Sequence, residues 1–78
     1  MTLELPERLC IDPQILAGKA IVRGTRVSVE LVLGHLAGGW SESDILAEYP
    51  TLTHDGIMAC LAYAHNLVSD ESLFHSAA

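Results

Sequence analysis

The chain has 78 residues, half of them apolar, with ten acidic and four basic side chains and a formal net charge of −6. A domain of this length buries only about 60% of the surface its unfolded chain exposes, so one thin-cored domain is expected, and the excess apolar surface predicts a homodimer or another protein partner. The acidic balance excludes broad attraction to nucleic acid, no apolar run approaches the roughly 18 residues that span a bilayer, and no basic-then-apolar leader opens the chain, so a cytoplasmic protein is expected.

In chain order, residues 1–8 read as a flexible lead-in. Leu9-Cys10-Ile11 is a short extended run stopped by Asp12-Pro13, where Asp favours a turn and Pro restricts the residue before it. Ala20-Ile21-Val22 is a second run, ending at Gly24, and the two predict a small β-hairpin or β-arm. Such an element is marginal alone in water, so it should pack on helices or on a second chain.

Ser28 can N-cap a helix over residues 29–37, with Glu30 in the first turn, apolar Val29, Val32, Leu33 and Leu36 at helical spacing, and Gly38-Gly39 as the stop. Ser41 and Asp44 have capping-box spacing before a short second helix carrying Ile45, Leu46 and Tyr49, which Pro50 ends. Thr53 can cap a third helix, weakened by Gly56, in which Ile57, Cys60, Leu61, Ala64, Leu67 and Val68 form a wide apolar stripe expected to face the core. Residues 69–78 read as a loose tail, leaving residues 9–68 as a single domain.

No catalytic motif is present: there is no HExxH, no GxSxG, and Gly18-Lys19 lacks the remainder of a phosphate loop. His35, His54, His65 and His75 are scattered, and Cys10 and Cys60 have neither a CxxC neighbour nor a ligand-spaced His, so neither an enzyme nor a metal or cofactor site is expected. What stands out is the clustering of Lys19, Arg23 and Arg26 between two β-branched runs in an otherwise acidic chain. With Thr25 they are the candidate contacts to a protein or nucleic acid. The plainer reading makes Gly24-Thr25-Arg26 a turn, with Arg26 paired to Asp12 or Glu30. The second and third helices, joined through Pro50-Thr51-Leu52, have helix-turn-helix proportions, although the third helix offers His54, Asp55, Tyr63, His65 and Asn66 and no Lys or Arg to a DNA groove.

The succession Ile11-Asp12-Pro13, Gly18 to Val27, Gly39-Trp40-Ser41, Ile45-Leu46, Tyr49-Pro50, Leu52-Thr53 and Ala62-Tyr63-Ala64 resembles domain-of-unknown-function family 433. Its most specific element is the Gly-Lys-x-x-Ile/Val-x-Gly-Thr-Arg run. Ala20 and Ser28 stand where the family usually has proline, and Ala17-Gly18 where it has two glycines. The resemblance implies a mainly α, homeodomain-like three-helix bundle with a short N-terminal β-arm, commonly homodimeric. It also implies an antitoxin that neutralises a PIN-like ribonuclease and represses its own operon. In that role Arg23 or Arg26 could enter the nuclease's carboxylate cluster, or Leu67, Val68, Leu73 and Phe74 could dock in a hydrophobic groove. A stand-alone DNA-binding regulator and a plain dimerisation module are the alternatives.

Overall fold

The computed structural model describes residues 6–69. Strands β1 (Leu9–Ile11) and β2 (Ala20–Val22) precede helices α1 (Val29–Ala37), α2 (Glu42–Glu48) and α3 (His54–Ser69), giving a mainly helical fold with a short N-terminal hairpin. The strands pair antiparallel in the register Leu9 to Val22, Cys10 to Ile21 and Ile11 to Ala20. Between them a helical turn over Leu16–Gly18 reverses the chain through left-handed backbone at Leu16, Ala17 and Gly18. Local sequence does not predict that turn, because Leu and Ala rarely adopt a positive φ.

Each helix begins as its capping residues dictate. Ser28 Oγ accepts the Leu31 N–H at 3.0 Å, Ser41 and Asp44 close a reciprocal capping box, and Thr53 Oγ1 accepts the Gly56 N–H at 3.1 Å. The Asp44 carboxyl is held below its ordinary range by the bonds it exchanges with Ser41. Helix α1 ends in a Schellman motif: Gly39, at φ +99°, donates to the Leu36 carbonyl, and Trp40 donates to the His35 carbonyl at 2.9 Å.

The core gathers Leu9 and Val22 from the hairpin, Val27, Val29 and Val32 from the entry to α1, Ile45 from α2, Leu52 from the following turn, and Ile57, Ala59 and Cys60 from α3. The hairpin is therefore a wall of the core, which answers its marginal stability alone. Burial pushes the Cys60 thiol up to about 11, so it serves as a small apolar side chain. The apolar stripe of α3 is only half used for this purpose. Ile57 and Cys60 are buried, but Leu61, Leu67 and Val68 are 40%, 43% and 63% exposed. Among the described residues no helix is long and apolar enough to cross a membrane.

Gly56, expected to weaken α3, is there for proximity: a Cβ at this position would meet Val22 Cγ1 at 3.2 Å. Gly56→Ala should gain up to about 1 kcal/mol of helix propensity but lose about 1–3 kcal/mol to overpacking against the stiff, β-branched Val22. A net destabilisation in urea melts is expected, and its size should shrink in a Val22→Ala background, which a double-mutant cycle would measure.

Candidate functional site

The segment from Val22 to Val27 locks itself. Thr25 N–H donates to the Val22 carbonyl at 3.0 Å, closing a β-turn whose third residue, Gly24, sits at φ +84° as a type II turn requires. Thr25 Oγ1 donates to the same carbonyl at 2.8 Å and accepts the Val27 N–H at 2.9 Å. Val22 N–H closes the loop on the Val27 carbonyl at 2.9 Å, and an antiparallel bridge joins Ile21 to Ser28. Thr25, a candidate contact residue, is thus an internal fastener.

Arg23 reaches backwards from this turn. Its Nε donates to the Glu7 carbonyl at 3.0 Å and Nη2 to the Leu9 carbonyl at 3.1 Å, while its backbone N–H donates to the Arg8 carbonyl at 2.7 Å. The side chain straps the incoming chain to the hairpin. Lys19 is also engaged, with Nζ 2.7 Å from Glu30 Oε1, and this contact holds the Glu30 carboxyl below its ordinary range. Arg8 pairs with Asp55 at 3.4 Å.

Arg26 differs from all three. It is exposed, and among the described residues it has no hydrogen-bond or ion-pair partner. The expected pairing with Asp12 or Glu30 does not form: Glu30 holds Lys19, and Asp12 Oδ1 accepts the Gln14 N–H at 2.9 Å. Arg26 stands instead at the rim of an open groove of about 710 Å³, lined also by Cys10, Ile15, Ile21, Leu31, Tyr49 and Thr51. The cluster read from the sequence therefore resolves into two engaged cations and one that is available.

The hydrophobic candidates separate as well. Leu67 borders a groove of about 550 Å³ with Ala20, Val29, Leu33 and Tyr63, whereas Val68, about 100° further round α3, is 63% exposed. Leu73 and Phe74 lie outside the described residues. The helix-turn-helix unit is tied by His54 Nδ1, 2.7 Å from Glu42 Oε2, and the Glu42 carboxylate raises the His54 pKa above its ordinary 6.5.

The sequence did not disclose a cluster at the junction of α1 and α2, where the His35 ring stacks on Trp40 with centroids 4.0 Å apart and its Nε2 lies 3.0 Å from Tyr49 Oη. This contact is the hydrophobic partner of the Schellman motif, and the Gly38-Gly39 stop followed by Trp40 was its only advance sign. Among the described residues no group of three or more His, Cys, Asp or Glu side chains is placed to hold a metal ion.

The family model described as protein of unknown function (DUF433) matches residues 10–64. The chain is also similar to a solved structure of a DUF433 member protein from Anabaena variabilis, at 27% identity and a TM-score of 0.74 over 85% of this chain. It spans 65% of the length of that relative. No curated protein matches it.

The two arginines should separate in a stability assay. Arg23→Ala strands two carbonyls and is expected to cost about 1–3 kcal/mol in urea unfolding, whereas Arg26→Ala should stay within about 0.5 kcal/mol of the parent. The His54 contact fixes a pH dependence of known sign. Because its folded pKa is raised, the stabilisation is fully present below the unfolded value and is lost as pH rises through the folded one. Thermal melts at about pH 6 and about pH 8.5 should therefore show a loss at the higher pH that Glu42→Gln diminishes.

Proposed function

The chain belongs to the DUF433 family, and from that premise we propose that it is a homodimeric, cytoplasmic antitoxin that binds and silences a PIN-like ribonuclease. The observation that carries this reading is the state of Arg26. Of the four basic side chains in an acidic protein, it alone has no partner among the described residues. It projects from a turn locked by four hydrogen bonds at Val22, Thr25 and Val27, so little side-chain or backbone order remains to be imposed when it binds. A PIN-like active site gathers carboxylates to hold metal, and a guanidinium placed among them answers that charge with a bidentate, always protonated group. The apolar groove beside Arg26 supplies surface that can be buried around the charged contact, which raises the value of the pair by excluding water.

DNA binding, the family-implied second role, has weaker support. Helices α2 and α3 have helix-turn-helix proportions, but α3 from Gly56 to Ser69 carries no Lys or Arg for phosphate contacts, and Glu42 and Asp55 flank its N-terminus.

The test is to express the chain with the product of its neighbouring gene and to follow RNA cleavage by that product. A stable complex and suppressed cleavage are expected. Arg26→Ala should weaken inhibition by about 30-fold or more, the cost of truncating one member of a buried charge pair, while Lys19→Ala should change it little. A failure to form the complex, or full inhibition by Arg26→Ala, would overturn the reading.

A further inference from the structure

An open apolar groove of about 550 Å³ runs between β2, α1 and α3, walled by Ala20, Val29, Leu33, Tyr63 and Leu67. Its rim carries Lys19 and Glu30, which neutralise each other through their 2.7 Å ion pair, so the groove opens without net charge in a protein of net charge −6. Gly34 of α1 also lines it, and apart from its chain neighbours and its own helix backbone no atom comes within 4 Å of where a Cβ would stand. Glycine weakens a helix interior relative to alanine, and no packing among the described residues calls for it here. The space beside it is open to an occupant that those residues do not supply.

We propose that this occupant is the chain's own segment 70–78, with Leu73 and Phe74 seated in the groove of the subunit that carries them. The place where the chain leaves α3 carries the assignment. Leu67 is a wall of the groove, and α3 ends two residues later at Ser69, about 3 Å further along the helix axis. Tyr63, the α3 wall farthest from that exit, lies about 9 Å back along the same axis. The chain from Ser69 to Phe74 reaches at most about 17 Å, enough to reverse direction and still cover the groove. Ser69, Asp70 and Ser72 are residue types that favour such a reversal.

The chemistry of the segment matches the groove. Its carboxylates, Asp70 and Glu71, fall in the spacer, and the pair that follows Ser72 is uncharged and apolar, with one aromatic ring to meet Tyr63. A separate protein offering a similar apolar pair would have to compete with a tether that holds Leu73 and Phe74 at an effective concentration on the order of millimolar. The proposal is independent of any toxin: two residues that could dock in a partner have a seat in their own subunit.

The test is nuclear Overhauser spectroscopy on the purified full chain. Phe74 ring protons should contact the methyl groups of Leu33 and Leu67 and the ring of Tyr63, and a sample mixed from isotope-labelled and unlabelled copies separates contacts within a subunit from contacts between two. Phe74→Ala should shift the Leu33, Tyr63 and Leu67 resonances and leave those of the core residue Ile45 in place. Gly34→Leu puts a side chain into the open space, and it should keep its helicity by circular dichroism while losing the Phe74 contacts. Absence of any contact between Phe74 and the groove would overturn the proposal. Contacts seen only between differently labelled copies would overturn it in favour of a second copy's segment, and contacts that survive Gly34→Leu at full intensity would overturn the groove as their place.

Discussion

The guanidinium of Arg23, bonded to the Glu7 and Leu9 carbonyls, sets the position of everything that follows it. A two-stranded hairpin of three-residue strands has too few hydrogen bonds to hold itself in water. Here its open end, where Leu9 pairs with Val22, is held twice, by the strap across the incoming chain and by the Val22–Val27 closure that leads into α1. With the hairpin fixed, Leu9 and Val22 become part of the core, and Val22 presses so closely on α3 that a Cβ at position 56 would meet its Cγ1 at 3.2 Å. The same closure fixes the backbone on either side of Arg26. One turn therefore joins sheet to helix and aims the one available cation.

The basic side chains show why clustering in sequence is not clustering in function. Lys19, Arg23 and Arg26 lie within eight residues, yet a type II turn and a strand edge send them to different work. Lys19 neutralises Glu30 in the first turn of α1, and Arg23 satisfies carbonyls that the hairpin leaves open. Either role removes the side chain from the pool available to a partner, because a second acceptor would have to compete with one already in place. The discrimination was invisible in the sequence, which shows charge and spacing but not which carbonyl or carboxylate comes within reach.

Local chemistry made most of the fold legible. The three N-caps at Ser28, Ser41 and Thr53, the glycine stop at Gly38-Gly39 and the two β-branched runs each act within four residues, and each element lies where those residues put it. What could not be read depends on distance along the chain or on rare backbone states. Left-handed Leu16 and Ala17 are unfavourable locally and persist because the hairpin must turn there. The wide stripe of α3 implied one buried face, but periodicity alone cannot divide apolar residues between an inner and an outer side. Gly56 looked like a weakness because its purpose, contact with Val22, spans more than thirty residues.

Acidity orders the surface of this molecule. With most faces carrying carboxylates, contacts with a like-charged copy are confined to neutral apolar patches, and contacts with acidic groups elsewhere must pass through the few cations not already paired. The groove at Arg26 is lined by the hairpin, α1 and the segment from Tyr49 to Thr51, with nothing from α3. In the antitoxin reading this placement has a mechanical consequence. A homodimer whose interface lies outside that groove leaves Arg26 uncovered on each subunit and engages two nucleases at once. Capture of the first would then raise the effective concentration of the second site wherever the target is itself dimeric.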